Sequence, residues 1–119
     1  MSLIGFLVLS GAETDLASHR WELRPILVFS AEDDPRLAEQ LERFEANRRD
    51  LEERRNIVIV ETEPDSRLWQ TFQPADFTVV LIGLDGGEKF RANRLVDPEE
   101  LDELIDQMPM RRQELNQRD

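Results

Sequence analysis

The feature that most constrains this chain is an apolar run followed by an acidic loop and a helix start. The run Pro25-Ile-Leu-Val-Phe29, closed by Ser30, is typical of a strand covered on both faces. Ala31-Glu32-Asp33-Asp34 follows, and Pro35 then begins a charged helix with Asp34 as its N-cap. This order predicts the first half of a βαβ unit.

The rest of the chain completes an alternating pattern. Apolar residues at helical spacing predict one helix from Pro35 until Asn56 ends it, and Ile57-Val-Ile-Val60 reads as a second buried strand. A short helix is expected over 66–72. A strand over 77–82 and a turn at Asp85-Gly86-Gly87 should lead into an antiparallel strand over 88–92 at the sheet edge.

The C-terminal part begins with a helix-start signal. Asp97 is the N-cap, Pro98 stands at N1 and Glu100 at N3, and Pro109 should close the helix. The polar residues 115–119 are expected to fray. We therefore predict a single α/β domain over residues 1–119, with a central mixed sheet formed by a βαβ unit and then a ββα unit. That is the thioredoxin-like plan.

The apolar N-terminal segment over 1–12 allows two interpretations. It could be a strand that packs in the fold, or the remnant of an export signal, since small residues follow its apolar stretch. The location is therefore open between periplasmic or exported and cytoplasmic. As a strand, the segment could also swap between two copies, so a homodimer is possible.

Charge and cysteine content exclude several classes of function. The net charge is −11, which disfavours binding to nucleic acid or to an anionic membrane surface. The chain has no cysteine, so thiolate catalysis and cysteine-held metal sites are chemically impossible.

Several runs resemble a known family. Arg24-Pro25-Ile-Leu-Val-Phe29 looks like the opening of a bacterial thioredoxin-like family of unknown function. The stretch from Phe77 to Lys89 looks like its hairpin, and Ile105-Asp-Gln-Met-Pro-Met-Arg-Arg-Gln-Glu114 looks like its closing signature. That family is similar to the P-DUDES domains of secreted vertebrate sushi-repeat and coiled-coil proteins. The resemblance implies a thioredoxin-like fold and carries over no catalytic residue. Thioredoxins have a cis-proline where Phe77 stands.

Two groups of charged residues are candidates for a binding surface. The acidic loop Glu32-Asp33-Asp34 lies where open α/β sheets place ligands, and Asp76 and Phe77 should enter the neighbouring strand beside it. A purely structural interpretation is that the carboxylates of this loop stabilise the N-terminus of the helix that Pro35 begins. Arg111 and Arg112 could face the helix dipole, clamp a partner's carboxylates, or bind this chain's own acidic loop.

The leading functional prediction is a non-catalytic protein-interaction module with no catalytic residue, no cofactor and no bound metal. Its partner would be a protein, docking on the acidic loop or on the edge strand 88–92. One alternative is an enzyme that uses a divalent metal at residues 32–34. The other is a small-ligand carrier with an apolar site near Trp21, Trp69 and Phe77, although both tryptophans are better explained as core or core rim.

Overall fold

In the computed structural model, which describes residues 8–10 and 16–117, the strands form one five-stranded sheet. They are β1 (Val8–Ser10), β2 (Arg24–Phe29), β3 (Asn56–Glu61), β4 (Thr78–Ile82) and β5 (Glu88–Ala92). Their order is β1-β3-β2-β4-β5. Strands β1 and β2 run parallel to β3, and β4 runs antiparallel to β2 and β5. The predicted βαβ and ββα units are both present.

The structure describes part of the apolar N-terminal segment 1–12. The backbone of Val8–Ser10 pairs with β3, so part of the segment 1–12 does form a strand. The remainder of that segment, and with it the export-signal interpretation, falls outside the described residues.

Five α-helices and one 3-10 helix flank the sheet within the described ranges. They are the 3-10 helix Leu16–His19, α1 (Pro35–Ala46), α2 (Arg48–Glu53), α3 (Arg67–Phe72), α4 (Pro98–Asp106) and α5 (Pro109–Asn116). The start of α1 is as predicted, because the Asp34 side chain accepts the backbone N–H of Arg36 at 2.9 Å. None of these helices is long and apolar enough to cross a membrane.

Two helix predictions were wrong in their boundaries. The single helix expected over 35–56 is broken at Asn47, whose Nδ2 donates to Asp102 Oδ2 at 2.9 Å, and Asn56 already belongs to β3. Helix α4 ends at Asp106, shortly before Pro109, as predicted. Pro109 also stands at N1 of α5, which extends to Asn116, so Leu115 and Asn116 are helical where a frayed tail was expected. Proline is compatible with both roles, since it ends a preceding helix and favours the first turn of the next.

Each face of the sheet carries its own apolar cluster. Ile26 and Val28 of β2 point to the face covered by α1, α2 and α4, where Phe44, Leu51 and Leu101 are fully buried. Leu27 and Phe29 point to the opposite face, against α3 and the 3-10 helix. This alternation is why the strands are apolar throughout, as predicted for a sheet covered on both faces.

The strand directions give the sheet two chemically different ends. Strands β2 and β3 finish at the end where β4 begins, because Phe29 pairs with Thr78. They start at the other end, where β4 finishes. The six residues of β2 separate the two ends by about 20 Å. Strand β5 lies at the sheet edge with most of its side chains exposed, as predicted.

Candidate functional site

The first candidate surface is the loop and helix start where β2 ends. We call it the acidic junction, and its residues are Glu32, Asp33, Asp34, Arg36, Asp76 and Phe77. Pairing of Phe29 with Thr78 brings the entry of β4 beside the exit of β2. The structure therefore confirms that Phe77 lies beside the acidic loop, at the position immediately before β4. The described residues contain no cis peptide bond.

Arg36 links the members of the acidic junction. Its Nη2 lies 2.7 Å from Asp34 Oδ2 and 3.2 Å from Asp76 Oδ2. The guanidinium also sits over the Phe77 ring, with the carbon Cζ 4.9 Å from the ring centroid. Hydrogen bonds from the Arg36 side chain and backbone hold the pKa of Asp34 below its ordinary value. The Asp34 carboxylate therefore caps the helix and orients Arg36.

The remaining carboxylates of the junction point outward. Glu32 and Asp33 are exposed, and the Asp76 side chain is 85% exposed. Within residues 8–10 and 16–117, no three histidine, cysteine or acidic side chains are grouped so that they could hold a metal ion. The three consecutive acids of the loop consequently do not offer the converging oxygens that Mg²⁺ or Ca²⁺ requires.

Arg111 and Arg112 lie at the other end of the sheet, so the sequence prediction that joined them to the acidic loop was wrong. Arg111 is only 2% exposed and its Nη2 lies 2.8 Å from Glu53 Oε2. Arg112 is exposed on α5. The physical reason is the direction of α5, which runs back past the start of β2 and buries one arginine of the pair.

Arg111 belongs to a network of charges, buried at Arg24 and Arg111 and exposed at Glu53, that we call the arginine cluster. Its members are Arg24, Arg54, Arg111, Glu53, Asp106 and Glu114. Arg24 Nη2 lies 3.1 Å from Glu114 Oε2, although 90 residues separate the two in sequence. Asp106 accepts from both Arg54 at 2.8 Å and Arg111 at 3.0 Å. The cluster thereby connects β2, α2, α4 and α5.

Carboxyl groups in and next to the cluster have opposite pKa shifts. Hydrogen bonding from Arg54, with Arg111 acting in the same direction, lowers the pKa of Asp106 below its ordinary value. Burial raises the pKa of the neighbouring Asp102, and it outweighs the hydrogen bond from Asn47 and the charge of Arg54. Asp102 Oδ1 is buried and accepts no hydrogen bond from the described residues.

The chain matches a known protein family over most of its length. A family model described as a domain of unknown function, DUF4174, matches residues 15–114. The chain belongs to the DUF4174 family. No curated protein sequence matches it significantly.

Solved structures similar to this DUF4174 chain show its fold. An uncharacterised thioredoxin-like protein from Clostridium perfringens has a TM-score of 0.68 at 13% identity, over 90% of this chain and 84% of that one. Chloroplastic thioredoxin z has a TM-score of 0.63 at 21% identity, over 90% and 96%. A mutant thioredoxin from Halobacterium salinarum has a TM-score of 0.64 at 19% identity, over 89% and 92%. The DUF4174 chain is thioredoxin-like in fold.

The apolar residues proposed for a ligand carrier do not come together in the DUF4174 chain. Trp69 packs edge-on against Phe29 at 5.5 Å, whereas Phe77 lies in the apolar cluster of the opposite face. Trp21 is 59% exposed and its backbone N–H donates to Leu84 O at 2.6 Å, near the end of β4. The interpretation of Trp21 as core or core rim was therefore wrong, and that of Trp69 was right.

Sequence reasoning missed Arg36, Arg24 and Glu114 as members of these two surfaces. Glu114 had one available signal: Arg111, Glu114 and Leu115 recur at helical spacing and so share a face of α5. No local pattern indicated a role for Arg24, because its partner Glu114 lies 90 residues away in sequence.

Proposed function

We propose that this DUF4174 chain is a non-catalytic interaction module that binds a basic segment of a partner protein at the acidic junction. The observation that carries the proposal is the composition of the surface at the exit of β2. It presents three exposed carboxylates, on Glu32, Asp33 and Asp76, and the guanidinium of Arg36 lies over the Phe77 ring beside Asp76.

The charges at this surface favour a cationic partner. Arg36 is hydrogen-bonded to Asp34 at both Nε and Nη2, so its guanidinium mainly neutralises that residue. The net charge of −11 adds a long-range field that attracts basic groups and speeds their encounter with the protein. A binding role also agrees with the absence of cysteine, since no thiolate can form.

Three finer points belong to the same proposal and rest on sequence alone. The closing run from Ile105 to Glu114 supports kinship with the P-DUDES domains and a bacterial origin.

The apolar segment 1–12 supports a homodimer in which that segment is exchanged. Sedimentation of the full chain and of a chain lacking residues 1–12 tests the exchange, and a monomer in both cases would contradict it.

Fluorescence anisotropy with short labelled peptides tests the binding role. The probes alternate lysine with valine, or glutamate with valine, and we expect saturable binding of the lysine peptide alone. The variant Glu32→Gln/Asp33→Asn/Asp76→Asn should weaken that binding about tenfold, because it removes the charges that face the ligand.

A charge-matched variant separates this surface from the overall acidity. Glu22→Gln/Glu99→Gln/Glu103→Gln removes three exposed carboxylates outside the acidic junction, and it should bind the lysine peptide as the unmodified chain does. Equal weakening in both variants, or none in the first, would contradict binding at the acidic junction. If the first variant binds the lysine peptide as tightly as the unmodified chain does, docking on the edge strand β5 is favoured instead.

A further inference from the structure

A cavity of about 310 Å³ opens beside the arginine cluster, between the β4–β5 turn and the junction of α4 with α5. Its apolar walls are Leu84 on the turn side and Met108, Pro109 and Met110 on the helix side. Arg24, Lys89 and Asp85 also line the cavity, and the carboxylate of Asp85 is paired with the ammonium of Lys89. The volume falls at the lower end of the roughly 300–1,000 Å³ usual for small-molecule sites.

Arg24 brings a buried donor to this cavity. Its side chain is 1% exposed, and its two terminal nitrogens donate to Arg54 O and to Glu114. Its Nε is buried and donates to no described residue. A buried N–H without an acceptor is unfavourable, so an oxygen brought by a ligand would gain a partner here.

Lys89 adds a cation from the opposite side. Its stem lies across Gly83, where an added Cβ would come within 2.6 Å of Lys89 Cε. Its ammonium is held 3.0 Å from Asp85 Oδ2, and the side chain is 36% exposed. An ammonium has three donors, so Lys89 can donate to a ligand oxygen while it keeps the contact with Asp85.

We propose that this cavity binds a small monocarboxylate with an apolar body, of the size of a medium-chain fatty acid. The carboxylate would face Arg24 and Lys89, and the chain would lie against Leu84 and the two methionines. Thioether side chains adapt to irregular apolar shapes, which suits a flexible ligand. The site is independent of the acidic junction, which lies at the other end of the sheet.

Octanoate is the probe, and methyl-labelled methionine is the reporter. The chain has only three methionines, and the signals of Met108 and Met110 can be assigned from Met108→Leu and Met110→Leu. Titration with octanoate should shift both signals saturably. Octanamide has the same apolar body without the charge and should bind about tenfold more weakly.

Two variant pairs avoid substituting the buried Arg24. Met110→Glu places a carboxylate in the half-buried wall and should weaken octanoate binding about tenfold, whereas Met110→Leu should preserve it. Lys89→Gln should weaken octanoate but not octanamide, and Lys89→Arg should preserve both. Circular dichroism checks that each variant is folded.

The proposal is overturned if octanoate causes no saturable shift of the Met108 and Met110 signals. Equal affinity for octanoate and octanamide would overturn the recognition of a carboxylate. Octanoate binding that Met110→Glu leaves unchanged would overturn the location. None of these results bears on peptide binding at the acidic junction, so the two proposals fail separately.

Discussion

The two ends of the sheet both join arginines to carboxylates, but they do so in different ways. At the acidic junction the partly exposed Arg36 pairs with Asp34, two residues away, and the carboxylates of Glu32, Asp33 and Asp76 beside this pair are exposed. In the arginine cluster Arg111 pairs with Glu53, 58 residues away, and is itself buried. A pair formed by neighbours in sequence orders one loop, whereas a pair formed across the chain fixes the position of whole helices.

Exposure decides how much each end contributes to stability. Water and salt screen an exposed pair, so its contribution is small. A buried arginine has lost its hydration, and removal of either partner leaves a charge without compensation. The acidic junction can therefore change its surface charge at low cost, while the arginine cluster cannot.

The largest effect is expected for Arg111→Met. It removes the cation that Glu53, Asp106 and Glu114 share, and should lower the free energy of unfolding by about 2–3 kcal/mol. Asp106 keeps its pair with Arg54, and Glu114 keeps its pair with Arg24. The loss stays below that of a fully enclosed pair because the side chains of Glu53 and Asp106 are more than a third exposed. Urea denaturation measures it.

The adjacent Arg112→Met is the matched control for that variant. Arg112 is exposed and has no ion pair within the described residues, so its loss should change the free energy of unfolding by less than about 0.5 kcal/mol. Similar losses in the two variants would show that burial does not distinguish these arginines.

An intermediate effect is expected for Asp34→Ala at the acidic junction. The variant loses the cap of α1 and the main partner of Arg36, and its unfolding midpoint should fall by about 3–6 °C. Asp33→Ala removes an exposed carboxylate one residue earlier and should leave the midpoint nearly unchanged. A loss of peptide binding in Asp34→Ala without any loss of stability would show that the residue acts as a ligand rather than a cap.

The smallest effect is expected for Asp102→Asn, and it depends on pH. Because burial raises the pKa of Asp102, the folded chain takes up this proton at a higher pH than the unfolded chain does. Ionised Asp102 is therefore unfavourable at pH 7, and acidification relieves it. Asp106 has a lowered pKa and behaves in the opposite way. Its contribution to the stability of the fold is lost as the pH falls through its folded-state pKa.

Asp102→Asn should accordingly be more stable than the unmodified chain at pH 7, and the advantage should shrink as the pH approaches about 4. The substituted amide can still accept from Asn47, so the hydrogen bond is retained. Urea denaturation across this pH range measures the difference. A variant that is less stable at pH 7 would mean that the attraction of Arg54 outweighs the cost of burial.

Local signals in the sequence predicted much of the secondary structure. The cap at Asp34, the start of α4 at Asp97 and the strand over 88–92 were all correct, since each depends on residues close in the chain. The single helix over 35–56 was not, since it is broken at Asn47, whose side chain hydrogen-bonds to Asp102 in α4. No local pattern contains that contact.

By itself, the sequence determined the thioredoxin-like order of elements and excluded thiol chemistry. Apolar periodicity and the absence of cysteine are properties of the chain that do not depend on contacts between distant residues. Only the tertiary structure decided which charges meet. It separated Arg111 from the acidic loop, exposed Trp21, and joined Arg24 to Glu114 across 90 residues. The physical reason is that charge pairing depends on distance in space and on burial, and both are set by the packing of α4 and α5 against the sheet.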